Sequence, residues 1–220
     1  MSKLICFEGC DGTGKSTQAG LLLQRLQAAG KTARLLKFPD YESLSSGPVR
    51  MYLGGELGGS PDAVNSYAAS VLYAADRLCS YKKDWENDYR SGTVMVTDRY
   101  VTSNFIFQAA KLPVDQRMDF VRWNMELEYD RMGLPRPDAV IYLDLPVEVS
   151  EARVRSRSSA TGQSIDIHEK DLAYQRSVSG CGRQLAAELG WITVNCAPEG
   201  RLLSVEEISE IIWRQIGQTV

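Results

Sequence analysis

The sequence predicts an α/β fold in three layers, a central five-stranded parallel sheet with helices on both faces. Three observations lead there. Short apolar runs of strand length alternate with longer segments of helical periodicity, and runs apolar throughout suit strands buried on both faces. A glycine-rich turn joins the first such run to the first helical segment. The chain has 220 residues, 44% of them apolar, enough for one sizeable core, and no linker or repeat divides it. The expected organisation is one domain over residues 1–220, with a short lid at about 153–166.

The elements follow in order. Leu4-Ile5-Cys6-Phe7 reads as the first buried strand, and a helix runs from Lys15 to about Ala29. Leu21, Leu22, Leu26 and Ala29 recur there at helical spacing, and Gly30 is placed to end the helix. Ala33-Arg34-Leu35-Leu36 is the second strand, stopped at Phe38-Pro39. Val94-Met95-Val96, Val140-Ile141-Tyr142-Leu143 and Trp191-Ile192-Thr193-Val194 are the third, fourth and fifth. Segments 63–83, 114–132 and 167–189 are helix-like, and 205–216 closes the pattern. Residues 54–61 and 156–164 are rich in Gly and Ser and read as loops beside a site.

Composition narrows the function classes. With 25 basic against 28 acidic residues and a net charge of −3, a general nucleic-acid surface is not expected. No apolar run approaches the roughly 18–20 residues that span a bilayer, and the opening residues lack a signal-peptide pattern. Cys6, Cys10, Cys79, Cys181 and Cys196 are odd in number and contain no CxxC pair, which favours small core residues in a reducing compartment. The expectation is a cytoplasmic protein that handles small molecules, without nucleic-acid or membrane partners. The lone histidine, His168, reads as a capping or surface residue rather than a metal ligand.

Gly9-Cys10-Asp11-Gly12-Thr13-Gly14-Lys15-Ser16 matches G-x-x-x-x-G-K-[ST] without a gap. Chance produces such a match in roughly one sequence in a hundred of this composition. Its position between a strand and a helix adds weight. The glycines let backbone N–H groups turn inward around phosphate oxygens, and the helix N-terminus adds partial positive charge. Lys15 would bridge the β- and γ-phosphates of ATP, and the Ser16 hydroxyl would hold Mg²⁺. The ATP-binding set is Gly9, Asp11, Gly12, Thr13, Gly14, Lys15, Ser16 and Thr17. A second carboxylate for the metal should end a neighbouring strand, and both Asp98 and Asp144 fit by spacing. Asp98 precedes Arg99 and so offers a metal ligand beside a phosphate clamp. Asp144 precedes Pro146 and a helix, which suits capping or loop structure.

The chain resembles the thymidylate kinases among the P-loop nucleoside monophosphate kinases. The resemblance runs from Lys3 to about Val194. It rests on Glu8-Gly9-x-Asp11-Gly12-x-Gly14-Lys15-Ser16-Thr17, then Phe38-Pro39, then Ala75-Asp76-Arg77, then Asp98-Arg99-Tyr100, and an arginine-rich segment after the fourth strand. It implies transfer of the γ-phosphoryl group of ATP to dTMP with Mg²⁺, in a homodimer whose contact would use segments such as 67–83 or 114–132. The alternatives are a kinase for another nucleoside monophosphate or nucleoside, and a nucleotide-binding switch without transferase activity. By this resemblance Tyr73 stacks on the acceptor base, and Arg77, one helical turn later, holds the acceptor phosphate and base edge. Asp11 faces the 3′-hydroxyl of the acceptor sugar, and Arg99 bridges toward the transferred phosphoryl group. Asp98 is the metal-associated carboxylate beside Ser16. Asn104 reads the pyrimidine edge, Phe107 stands where relatives often carry a tyrosine near the sugar, and Phe38 completes the acceptor set.

Arg153, Arg155 and Arg157 follow the fourth strand at alternate positions. On a helix Arg153 and Arg157 share a face while Arg155 points away. Some relatives carry a catalytic arginine at the position of Gly12, and with none here the lid should supply it, Arg157 ahead of Arg153. Many relatives place an arginine soon after Phe-Pro, where this chain reads Asp40-Tyr41 and the next arginine is Arg50. Cys10 is the one thiol expected near the chemistry.

Overall fold

The computed structural model describes residues 3–161 and 166–216. Strands β1 (Lys3–Glu8), β2 (Ala33–Lys37), β3 (Val94–Asp98), β4 (Ala139–Asp144) and β5 (Ile192–Asn195) form one parallel sheet in the order β2-β3-β1-β4-β5. Each lies within a few residues of its predicted run. The inner strands β1, β3 and β4 are buried on both faces because they are apolar at odd and even positions alike, and the edge strands β2 and β5 are partly exposed. Ile5, Phe7, Val96, Ile141 and Leu143 pack on one side against Ala19, Leu22 and Leu26 of α1 (Lys15–Ala28). Leu4, Cys6, Met95, Val140 and Tyr142 face a second cluster on the other side.

The remaining helices are α2 (Gly47–Leu53), α3 (Ser66–Ser80), α4 (Glu86–Arg90), α5 (Val101–Phe107), α6 (Arg117–Met125), α7 (Val147–Thr161), α8 (Ile167–Lys170), α9 (Leu172–Glu188) and α10 (Val205–Ile216). Gly30 ends α1 with φ +79°, and its N–H and that of Lys31 donate back to Gln27 and Leu26. Three predicted segments change shape. Helix α3 opens into a wider π turn at Tyr81–Trp85 before α4, so the expected 63–83 helix runs on to Arg90. The 114–132 segment starts as a 3-10 turn and ends in a π segment, Glu126–Arg131. The 167–189 segment breaks at Asp171, whose side chain accepts the Tyr174 N–H and restarts the helix as α9.

The Ser-rich stretch expected to form a loop is helical as far as Thr161, and positions 162–164 lie outside the described residues. Serine tolerates a helix interior, and glycine enters only at 162. Helices α2 and α5 carried no clear sequence signal. The loop at 54–60 between α2 and the 3-10 turn Pro61–Ala63 is as expected. Four strands deliver their carboxyl ends to one edge of the sheet, with Glu8, Phe38, Asp98 and Asp144 at or just past them.

Candidate active site

The glycine-rich loop joins β1 to α1. Gly9, Gly12 and Gly14 have φ of +141°, +80° and +97°, in the region open to glycine. A Cβ on Gly9 would lie 2.7 Å from the Leu143 carbonyl oxygen, and one on Gly12 would collide with the Ser150 carbonyl oxygen. Helix α7 therefore rests directly on the loop, and position 12 has no room for an arginine. Lys15 is buried, with Nζ donating to the Cys10 carbonyl at 2.6 Å. The Thr13 hydroxyl donates to the same oxygen at 2.9 Å. Burial and the nearby Arg99 push the Lys15 ammonium down, against Asp11, Asp98 and Glu8.

The Ser16 hydroxyl donates to Asp98 Oδ2. A hydroxyl and a carboxylate, both hard oxygen donors, meet beside the loop, which is the donor chemistry a divalent cation such as Mg²⁺ takes. Asp144 is engaged elsewhere: Arg183 Nε donates to its two oxygens at 2.9 and 3.0 Å. Asp98 is thus the carboxylate beside Ser16, and Asp144, expected to serve capping or loop structure, holds an ion pair.

Arg99, just past β3, holds φ +70°, which costs a non-glycine residue about 1–3 kcal/mol. Its guanidinium is fixed from several sides. Nη2 donates to Asp11 Oδ1 at 2.6 Å, Nη1 lies 4.0 Å from Glu8 Oε2, and the group sits 4.7 Å over the Phe107 ring. Burial raises the Asp11 carboxyl, but the charges of Arg99 and Lys15 outweigh it and hold Asp11 at about 2. Glu8 is wholly buried and accepts from Tyr100 N at 3.2 Å, Thr102 Oγ1 at 2.7 Å and Ser103 Oγ at 2.7 Å. It anchors the first turn of α5 and backs Arg99. In the sequence it stood out only as part of the loop motif.

Beside the loop opens a cleft of about 490 Å³. All seven residues expected to hold the acceptor, namely Asp11, Phe38, Tyr73, Arg77, Arg99, Asn104 and Phe107, line it. Arg77 is buried and paired with Glu128 through Nε–Oε2 at 2.7 Å and Nη2–Oε1 at 2.6 Å. Asn104 Nδ2 donates to Ser70 O at 3.3 Å and Glu128 Oε1 at 3.1 Å.

The cleft also takes Tyr41, Gln108, Asp166 and His168, which spacing did not single out for it. His168 corrects the sequence reading. It is buried, stacked on Phe107 at 5.9 Å and hydrogen-bonded through Nε2 to the Tyr52 hydroxyl at 2.9 Å. Burial and the Lys111 charge hold it down at about 3, so it is a neutral wall residue. No cluster that could hold a metal includes it among the described residues. Arg50 does not face the cleft; its Nη1 ties the 41–46 loop through Tyr41 O at 2.7 Å, Ser43 O at 3.0 Å and Ser46 Oγ at 2.6 Å.

Of the lid arginines, Arg153 reaches the loop, with Nη1 3.5 Å from the Gly12 carbonyl oxygen. Arg157 donates to Glu169 Oε1 at 2.6 Å, and Arg155 turns to Glu151 at 2.5 Å. Of the two arginines expected to serve the lid, Arg153 is the one placed against the loop in this arrangement, and Arg157 is tied to Glu169. Cys10 lies in the loop, but burial pushes its thiol up to about 11, so the thiolate is scarce at neutral pH. Cys79 is exposed rather than a core residue.

The family model for thymidylate kinase matches residues 7–208. A thymidylate kinase of Mycobacterium tuberculosis is 33% identical over 190 residues, spanning 86% of this chain and 87% of the relative. The chain belongs to the thymidylate kinase family. A thymidylate kinase of Thermomicrobium roseum is 34% identical over 179 residues, 81% of this chain and 78% of its own. The solved thymidylate kinase of Candida albicans shares the fold, with a TM-score of 0.72 over 99% of this chain and 92% of that one, at 22% identity. Family membership makes the chain an ATP-dependent nucleoside monophosphate kinase.

Proposed function

We propose that the protein transfers the γ-phosphoryl group of ATP to dTMP, giving dTDP and ADP. The observation that carries the reading is the adjacency of two unlike sites. A phosphate loop with Lys15, Ser16 and Asp98 abuts a cleft lined by Phe38, Tyr73, Arg77 and Asn104, and Asp11 with Arg99 stands between them. An oxygen of the acceptor phosphate attacks the γ-phosphorus, the bond to the β–γ bridging oxygen breaks, and ADP leaves with that oxygen. The attacking oxygen is already anionic, so no general base is required. Lys15 and Arg99 offset the negative charge spread over the transferred group, and Arg153 adds to it from α7. Ser16 and Asp98 would hold Mg²⁺, which supplies further charge neutralisation at the phosphates.

Tyr73 presents an aromatic face to the base. Glu128 already neutralises Arg77, which suits Arg77 to a base edge better than to a phosphate dianion. Arg99, although paired with Asp11 through Nη2, is the other cation lining the cleft, and we assign it to the acceptor phosphate. We read residues 1–220 as one catalytic domain whose lid begins on α7. Tyr67 and Val71, one turn apart on α3, are 43% and 44% exposed, and Tyr67 packs edge-to-face against Phe120 and Trp123 of α6. This apolar patch spans the two segments expected to join a homodimer. Unpaired thiols and the acidic balance suit the cytoplasm.

The test is ADP release from ATP and Mg²⁺ with dTMP, dUMP, dCMP, dGMP, UMP and CMP. Turnover dominated by dTMP is expected. Turnover confined to another acceptor would keep the kinase and discard the acceptor. Protein that binds ATP and turns over none of them would leave a binding protein.

A further inference from the structure

Glu128 lies in the π segment that continues α6, wholly buried behind the cleft. Four donor contacts converge on its carboxylate: Arg77 Nε on Oε2 at 2.7 Å, with Arg77 Nη2 at 2.6 Å, Asn124 Nδ2 at 2.8 Å and Asn104 Nδ2 at 3.1 Å on Oε1. Three of these contacts come from Arg77 and Asn104, which line the cleft, and Glu128 itself does not line it. An inserted π turn is a common way to aim one helical side chain inward at a functional site.

The consequence is a fixed polarity. The Asn104 amide is faced by two acceptors, Glu128 Oε1 and the Ser70 carbonyl. Rotating it by 180° would set its oxygen against both, so its NH₂ stays inside and its oxygen is what it offers the cleft. Arg77 uses three of its five N–H groups within the protein, two on Glu128 and one on Tyr100 O at 3.4 Å. The cleft therefore sees an acceptor from Asn104 and donors from Arg77. A ring imide, an N–H flanked by carbonyl oxygens, complements that pair. A cytosine edge, with an unprotonated ring nitrogen beside an amino group, opposes it at both positions.

We propose that Glu128, which touches no substrate, is the positioning residue that sets this enzyme's preference for an imide base (thymine or uracil) over cytosine, by locking the Asn104 amide and the Arg77 guanidinium in one orientation. The inference rests on the acceptor reading above. In E128Q the side chain keeps its shape but has one carbonyl oxygen for four donor contacts: an NH₂ in the place of Oε2 meets Arg77 Nε, and one in the place of Oε1 meets Arg77 Nη2, Asn124 and the Asn104 amide together. The first case releases the guanidinium, and the second turns the amide over and presents NH₂ to the cleft.

The experiment measures kcat and KM of the full-length chain for dTMP, dUMP and dCMP. A site built on paired hydrogen bonds rejects a mismatched edge strongly, by about 10³-fold or more. For E128Q the dTMP-to-dCMP ratio of kcat/KM should fall at least about tenfold, a loss of one good hydrogen-bond pairing. The loss should appear in the acceptor KM, with the ATP KM unchanged. Asn124→Ser is the control, because it removes a donor from the same carboxylate with no group at the cleft, and its ratio should stay at the wild-type value. A folded E128Q with an unchanged ratio overturns the proposal, as does an equal shift in N124S. If E128Q does not fold, E128D replaces it, since withdrawing the carboxylate by one methylene should still lower the ratio severalfold. An unchanged ratio there, or failure of both variants to fold, assigns Glu128 to the core alone. A wild type that phosphorylates neither dTMP nor dUMP removes the acceptor reading itself, whereas a wild-type preference that survives in folded E128Q removes only the role of Glu128.

Discussion

The phosphate loop and the acceptor cleft lie side by side and are built on opposite plans. The loop is one uninterrupted stretch, residues 9–16, and its geometry comes from backbone: positive φ at three glycines, a carbonyl that receives Lys15 and Thr13, and a helix N-terminus. The cleft takes single side chains from 38–41, α3, α5 and the start of α8, and its orientation depends on a carboxylate in none of them, Glu128. Damage to the loop should therefore abolish chemistry for every acceptor. Damage to the cleft should change which acceptor is used and how tightly.

The most severe break expected is Lys15→Ala. It removes a cation from the transferred group and should lower kcat by about 10²–10³-fold or more with all acceptors. The fold should survive, since a buried ammonium pushed toward its neutral form gives little stability. Turnover in a coupled ADP assay together with a thermal melt checks both halves. Activity within tenfold of wild type would remove Lys15 from the chemistry.

Arg99→Ala strikes the boundary between the two regions and comes next. A loss in kcat of about 10²–10³-fold is expected from the missing charge. It carries a second, independent signature. Asp11 is held at about 2, against about 3.9 in an unfolded chain, so the pair stabilises the native state above pH 4 and that contribution is lost as pH falls toward 2. In Arg99→Ala this acid-side loss should shrink, which stability measured by denaturant between pH 4 and pH 2 would reveal. An acid limb identical to wild type would mean that Arg99 does not hold Asp11 in solution.

The same contrast explains what could be read from the chain. The inner strands β1, β3 and β4 are legible because each is a short run of apolar residues buried on both faces, and Ile5 and Cys6 announce both sides of the sheet at once. The loop is legible because its function resides in contiguous glycines. Tyr73, Arg77 and Asn104 came through family resemblance alone, since one aromatic or arginine in a helix has no local mark of function. Glu128, Asp166 and His168 escaped because their roles arise from tertiary neighbours. A lone histidine beside acids reads as surface, and only the packing of Phe107, Tyr52 and Tyr174 around it makes it a buried wall. Serines at 156 and 158–159 suggested a loop, but helix α7 is held onto the phosphate loop, and that contact is invisible to composition.

Within the cleft, Tyr73→Ala should sharpen the distinction. Stacking of a base on an aromatic ring is worth about 1–3 kcal/mol, so the acceptor KM should rise roughly tenfold to a hundredfold. The ATP KM should stay put, and kcat at saturating acceptor should change little. Initial-rate kinetics with both substrates varied would separate these. A loss confined to kcat, with acceptor KM unchanged, would rule out the stacking role.

The smallest effect expected is one of stability, at the cleft's far wall. Asp166 caps α8, accepting the N–H groups of His168 and Glu169 at 2.8 Å each. Burial and the nearby Asp11 charge raise its carboxyl to about 7, with Glu169 adding to them and the two backbone donors working against them. A raised carboxyl keeps its proton in the folded state after the unfolded chain has released it. Stability should therefore fall as pH rises from about 4 to about 7 and level off above. His168, held at about 3, acts in the opposite sense, since it resists protonation only when folded and adds stability as pH rises toward about 6.5. The two trends oppose each other in the wild-type profile, so the difference between wild type and Asp166→Asn is the informative quantity. Asparagine caps a helix as well as aspartate does. The variant should match wild type near pH 4 and melt several degrees higher at pH 8, at about 2–4 °C per kcal/mol for a chain of this size. Equal shifts at both pH values would trace the gain to capping or packing, and no shift at pH 8 would mean that Asp166 ionises without penalty beside Asp11.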